Sequence, residues 1–163
     1  MADLTHFLRN VRSRGVLIDA NLVVLLVVGY VDQNRIPLFK RTSHYTAQDW
    51  EALTAILEYT PRRYSTAHVL SEASNLTDMK GPQLDEARAM LHRAISQWEE
   101  LPIASLDACR SPYYRRLGLT DAAIILTAQQ RGCSVVTSDF GLYLALLEQG
   151  ASVLNFDDLR KLL

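Results

Sequence analysis

The sequence predicts an α/β sandwich of three layers, with helices on both faces of a mainly parallel sheet. Short apolar runs alternate with helix-like segments from one end of the chain to the other, and this alternation is typical of parallel sheets. Gly or Pro stands at the end of several of these segments, where a helix or strand stops. A chain of 163 residues with 48% hydrophobic and 21% charged residues suits one core. We therefore expect a single domain over residues 1–163.

The first predicted strand leads directly to an aspartate. Residues 15–20 form a short apolar run that contains Asp19 at its end, which predicts a buried strand. Residues 21–29 predict an apolar helix that stops at Gly29, although its valines also suit a strand. Residues 30–47 lack periodicity and predict a long loop, either a hairpin or a lid.

The middle of the chain predicts two further strands and three helices. Thr46 and Asp49 provide the cap of a helix, whose apolar positions have helical spacing and which Pro61 ends. The elements that follow are a strand over 63–67, a helix over 68–76 that carries Glu72, a helix over 84–101 that Pro102 stops, and a strand over 102–106.

The last third repeats the alternation of helix and strand. Its predicted elements are a helix over 120–131 closed by Gly132, a strand over 134–138, a helix over 141–149 closed by Gly150, and a strand over 151–156.

Four acidic residues occupy positions where the predicted strands end or the predicted helices begin: Asp19, Glu72, Asp121 and Asp139. The carboxyl ends of parallel strands meet at one edge of a sheet, where ligands bind. Carboxylates gathered there would raise each other's pKa unless a cation lies among them, and oxygen ligands suit magnesium or manganese. An aspartate between a strand and a helix is also a common N-cap. The prediction of a metal site therefore depends on the whole set.

Several classes of function are disfavoured by what the sequence lacks. It contains no G-x-S-x-G, no P-loop and no G-x-G-x-x-G. Its two cysteines form no close pair, which argues against a zinc site or a disulfide framework and favours a cytoplasmic location. The longest apolar run is too short to span a bilayer, so no membrane role is expected. A net charge of -1 excludes only proteins that coat nucleic acid through a strong basic bias.

One loop combines an aromatic ring with basic side chains. Tyr113 lies two residues before Arg115 and Arg116. Tyrosine can stack on an unpaired base and arginine can contact phosphate. We predict a substrate-binding role for these three residues, and the alternative is a solvated loop.

Four segments in this order resemble the PIN domain family, which includes the VapC-type toxins. They are VLIDAN at 16–21, LSEASNL at 70–76, LGLTDAAIILTA at 117–128 and VVTSDFGLY at 135–143. The resemblance extends from Val16 to Phe156. It implies parallel strands between helices and a metal-dependent nuclease, usually acting on RNA and leaving a 5′-phosphate.

The resemblance also implies roles for individual residues. Asp19, Glu72, Asp121 and Asp139 correspond to the first to fourth acidic metal ligands of the family. Asn21 matches a polar position beside the first aspartate. Thr137 and Ser138 match hydroxyl residues before the last one, and Ser138 would hold Asp139 or a metal-bound water. Thr120 would orient Asp121 and cap its helix.

These observations lead to a hypothesis with open alternatives. We expect an endoribonuclease that uses Mg²⁺ or Mn²⁺ and acts on RNA. A second hypothesis is a toxin with the same chemistry that an antitoxin protein binds and silences. A homodimer through the apolar faces near Leu53 and Met90 is expected from the family, unless these faces fill the core. A non-catalytic RNA-binding or scaffold domain is the alternative. A phosphatase resembling haloacid dehalogenases is disfavoured because Asn21 replaces the second aspartate that this class needs.

Overall fold

The computed structural model describes residues 4–163. Its helices are α1 Leu4–Arg14, α2 Ala20–Val31, α3 Ala47–Tyr59, α4 Ala67–Leu76, α5 Pro82–Gln97, α6 Ser105–Arg110, α7 Tyr114–Leu117, α8 Leu119–Arg131, α9 Phe140–Glu148 and α10 Phe156–Arg160. Its strands are β1 Val16–Ile18, β2 Arg63–Thr66, β3 Glu99–Leu101, β4 Ser134–Thr137 and β5 Val153–Asn155.

The sheet is parallel at every pairing, in the order β3-β2-β1-β4-β5. Leu17 of the central strand pairs with Tyr64 on one side and with Val135 on the other. The chain moves outward from β1 through β2 to β3 and then returns to place β4 on the other side of β1. The order therefore reverses between β1 and β4, where open α/β sheets bind ligands. The predicted fold class is confirmed.

Helix α2 lies at the centre of the core. Its residues from Leu22 to Gly29 are all buried, and it contacts α3, α4 and α5. Burial on every side explains why its sequence is apolar without periodicity. The valines cost some helix propensity, which their burial outweighs. Among the helices of residues 4–163, none is long and apolar enough to cross a membrane.

The third strand lies earlier in the chain than the sequence predicts. The helix predicted over 84–101 ends at Gln97, and the strand occupies Glu99–Leu101, so the strand prediction at 102–106 is wrong. Ser105 instead begins α6. Strand β3 pairs only with β2, at an edge of the sheet. An edge strand that reads Glu-Glu-Leu has no apolar alternation to identify it.

The segment predicted as a long loop is packed against the core. Helix α2 continues to Val31, and residues 32–46, all of them described, contain one 3₁₀ turn and no strand, so the hairpin alternative is wrong. Ile36, Thr42 and Tyr45 are buried. Thr42 Oγ1 donates a hydrogen bond to the carbonyl of Ile36 at 2.8 Å, which holds the turns together.

Helix α1 was not predicted from the sequence, because its residues are polar apart from a few positions. Phe7 and Val11 are buried one turn apart on one face, and Asn10 Nδ2 donates to Ser134 Oγ at 2.9 Å on β4. This contact seats α1 against the amino-terminal end of a central strand, away from the carboxyl edge.

Candidate active site

Asp19 follows β1 and occupies the N-cap of α2. It is 4% exposed, and its Oδ1 accepts the backbone N–H of Leu22 at 2.8 Å. Its Oδ2 accepts the Thr137 hydroxyl and, at 3.0 Å, the backbone N–H of Ser138. The side chain is thus both a helix cap and part of the site, and three donors fix its orientation.

Thr137 joins the first and last predicted ligands. It ends β4 and is fully buried, and its Oγ1 accepts the backbone N–H of Asp139 at 2.9 Å while it donates to Asp19. Ser138 contacts Asp19 through its backbone N–H. Thr137 therefore links the Asp19 carboxylate to the backbone of Asp139, and Ser138 also contacts the first aspartate through its backbone.

Asp139 follows β4 and caps α9. Its Oδ1 accepts the N–H of Leu142 at 2.8 Å, and the residue is exposed at the mouth of the site. A Cβ on Gly141 would lie 3.1 Å from Asp139 Oδ1. Glycine at this position keeps the space around the carboxylate open.

Asp121 lies in the first turn of α8, which begins at Leu119. The N-cap is Gly118, with φ of 90° and no side-chain cap, so the prediction that Thr120 caps this helix is wrong. Glycine adopts this backbone conformation without the steric cost that other residues meet. It allows α8 to begin one turn before Asp121, which brings the carboxylate to the edge of the sheet.

The four predicted acidic residues line one polar cleft of about 310 Å³, together with Asn21, Thr120 and Gly118. Burial, then Asp139, Asp19 and Glu72, raise the pKa of Asp121 to about 7. Burial also raises the pKa of Asp19, against the bonds from Thr137, Leu22 and Ser138. The cleft therefore concentrates negative charge that no cationic side chain among its lining residues balances.

The donor set fits a hard divalent cation by its chemistry. It consists of carboxylate oxygens, with amide and hydroxyl oxygens at Asn21 and Thr120, which suit magnesium or manganese. Burial first, and then the neighbouring carboxylates, raise the pKa of Asp121, and a bound cation would favour its charged form. Within residues 4–163, no three His, Cys, Asp or Glu side chains are arranged to ligate one ion directly. Magnesium commonly uses one or two carboxylates and retains water.

The three predicted substrate-binding residues lie beside the cleft and do not line it. Arg115 and Arg116 belong to α7, which leads directly into Gly118 at the cleft wall. Arg116 lies over the ring of Tyr113, 5.6 Å from its centroid, and its NH2 is 3.8 Å from Glu148 Oε2. Arg115 is exposed.

Tyr45 is a site neighbour that sequence reasoning missed. It is 2% exposed, and burial raises its pKa to about 12, while its hydroxyl lies beside Ser138 and near Asp19. Arg160 lies over its ring at 4.7 Å. A single tyrosine in a polar segment carries no signal for this position, since only the fold brings residue 45 next to residue 138.

Comparison with known proteins agrees with this geometry. The family model described as PIN domain matches residues 37–145. No curated protein sequence and no solved structure matches the chain. The matched range contains Glu72, Asp121 and Asp139, while Asp19 joins the site through its hydrogen bonds to Thr137 and Ser138. Proteins of this family are generally nucleases. The match covers more than half of the chain, which therefore belongs to the PIN domain family.

Proposed function

We propose that this protein is a metal-dependent endoribonuclease that hydrolyses RNA phosphodiester bonds. One observation carries the proposal: acidic side chains from separate elements line a single cleft at the point where the strand order reverses. A scaffold domain has no need to gather uncompensated carboxylates, because their mutual repulsion destabilises the fold.

The carboxylates Asp19, Glu72, Asp121 and Asp139 would hold Mg²⁺ or Mn²⁺. A divalent cation bound there would supply positive charge for a phosphate oxygen and for an attacking water. Three donors hold Asp19 rigidly. The Asp139 carboxylate accepts the N–H of Leu142 at Oδ1, and Glu72 is exposed. Asp19 would thus set the position of the cation, and the outer carboxylates would adjust to the substrate.

The PIN resemblance supports RNA as the proposed substrate, because it implies a nuclease that usually acts on RNA. Arg115 and Arg116 lie on the short helix that ends just before Gly118. In that position they would meet phosphates of a strand bound in the cleft. Tyr113 is half-buried beneath Arg116, so its part would be to support that arginine rather than to stack on a base.

The proposal is tested by incubating wild-type protein with a fluorogenic single-stranded RNA in manganese, magnesium or excess EDTA. Asp121→Asn is the site variant, and Asp158→Asn on α10, which is exposed and paired with Lys161, is the matched control. We expect cleavage by wild type and control with metal, and a loss of at least about a hundredfold in Asp121→Asn. Equal cleavage by Asp121→Asn, or cleavage in EDTA, would contradict the proposal.

The proposal includes two protein partners, an antitoxin and a second copy of this chain. The VapC-type resemblance supports an antitoxin, which co-purification with the product of the neighbouring gene would test. The apolar faces near Leu53 and Met90 are largely internal, because Leu53 is fully buried and Met90 packs against the core. The exposed apolar residues Phe140, Leu144 and Leu147 on α9 offer area instead. Sedimentation of wild type and Leu144→Glu would test this face.

The non-catalytic alternative predicts a different result in the same samples. A domain that only binds RNA would leave the RNA intact in manganese, and calorimetry would detect no heat of manganese binding. Manganese binding by wild type that is weakened in Asp121→Asn would support the enzyme instead.

A further inference from the structure

A second groove adjoins the carboxylate cleft. It has a volume of about 510 Å³ and shares Glu72, Leu119 and Thr120 with the cleft. This volume falls within the range of roughly 300–1,000 Å³ typical of small-ligand sites. Its other lining residues are Ala67, His68, Ser71, Asn75, Leu76 and Ser105. A ligand that reaches the carboxylates can therefore extend into this groove without leaving the surface.

One face of α4 forms a wall of the groove. His68, Ser71 and Asn75 follow each other at intervals of three and four residues, the spacing of neighbours on one helix face, and Glu72 continues this wall into the cleft. His68 Nε2 is 2.9 Å from Ser105 Oγ on α6. This contact links α4 to α6, and both residues line the groove.

The chemistry of the groove differs from that of the cleft. Its polar side chains, apart from Glu72, are three hydroxyls, an amide and an imidazole, and the half-buried Leu76 and Leu119 add apolar surface. Among the described residues that line it there is no lysine or arginine, so it is not built for a phosphate. A nucleobase needs apolar surface for its face and neutral donors and acceptors for its edge.

We propose that this groove binds the unpaired base of the nucleotide beside the scissile phosphate of single-stranded RNA. The inference rests on the proposed function, since the neighbouring carboxylates define where that phosphate lies. Ser71 and Asn75 hydrogen-bond to the edge of the base, and Leu76 and Leu119 contact its face. A base paired in a duplex does not enter, because its edge is already occupied and its face is stacked.

The test measures binding and not cleavage, so that its result is independent of activity. The protein is Asp121→Asn, and the probe is a fluorescein-labelled RNA octamer made in eight versions, each with one abasic position. We expect one position to weaken binding by roughly fivefold to a hundredfold when its base is missing. Fluorescence anisotropy gives the Kd of each version.

The same series is then measured with Ser71→Ala/Asn75→Ala added, and with Gln130→Ala, an exposed amide near the other end of α8, as control. Loss of the abasic effect in the groove variant, with the effect kept in the control, supports the proposal. An abasic effect that survives in the groove variant, no sensitive position, or no RNA binding overturns it. Thermal melting verifies that each variant is folded.

The two proposals fail in distinguishable ways. Wild-type protein that does not cleave RNA in manganese contradicts the nuclease, whatever the abasic series gives. Cleavage together with an abasic series that ignores Ser71 and Asn75 leaves the nuclease intact and removes only the base-binding groove.

Discussion

Asp19 and Asp49 are nearly equally buried, at 4% and 5% exposed, and their surroundings are opposite. Asp49 accepts the backbone N–H of Thr46 at 2.7 Å and lies 3.0 Å from Arg160 Nε, so its charge is balanced by a cation. Asp19 receives only neutral donors, and Asp139 nearby raises its pKa further. One buried carboxylate is compensated by an arginine, whereas the other has only neutral hydrogen-bond donors.

Tyr45 connects these two regions. Its ring lies below the guanidinium of Arg160, and its hydroxyl is beside Ser138. Arg160 NH2 also donates to the backbone carbonyl of His44. Residues 44–49 and α10 thus form a compensated cluster directly behind the uncompensated cleft.

Arg160→Ala should have the largest effect on stability. It leaves Asp49 buried without its cation, which costs about 2–4 kcal/mol in the free energy of unfolding. Urea denaturation of wild type and variant measures the difference. Arg160→Ala/Asp49→Asn should recover part of the loss because the unpaired charge is removed, and a double variant as unstable as the single one would contradict this explanation.

Asp121→Asn should change stability in the opposite direction. Folding raises the pKa of Asp121 from 3.8 to about 7, so ionisation opposes folding, and wild type loses stability as pH rises from about 4 to 7. In EDTA the variant should melt several degrees above wild type at pH 8, with a smaller gain at pH 5. Melting curves at both pH values test this. A gain that does not depend on pH would exclude charge repulsion as its cause.

Thr137→Val should affect the site more than the fold. It keeps the shape of the side chain and removes the hydroxyl that joins Asp19 to the N–H of Asp139. We expect kcat to fall about tenfold or more, with a stability loss of about 1–2 kcal/mol. Thr127→Val is the matched control, since Thr127 is also buried and bonds Ala123 within α8. Equal losses of kcat in both variants would refute a positioning role for Thr137.

Glu148→Ala should have the smallest effect. Its pair with Arg116 is 3.8 Å long and more than half exposed on both sides, and such pairs contribute less than about 0.5 kcal/mol. The unfolding midpoint should stay within error of wild type. A clear loss of stability would show that exposure alone does not separate weak ion pairs from strong ones in this protein.

Much of the fold and of the site follows from local patterns. The runs around β1 and β4 predicted buried strands because each contains adjacent apolar residues, and the acidic residues after them were assigned to one edge because parallel strands share their direction. Strand β3 was not predicted at its observed position, because its two glutamates are exposed at a sheet edge. Helix α1 was not predicted, because only Phe7 and Val11 are buried in it and they form a weak pattern.

The sequence by itself determined the fold class and the alternation of strands and helices around the four acidic positions, because these depend on periodicity and on what stands next in the chain. Only the tertiary structure decided which oxygen of Asp19 meets Thr137, that Gly118 starts the helix of Asp121, and that Tyr45 reaches Ser138. The contacts of Asp19 with Thr137 and of Tyr45 with Ser138 join residues far apart in the chain, where no local pattern constrains the pairing. The physical reason is that burial and charge at the cleft are properties of the assembled sheet edge and not of any one segment.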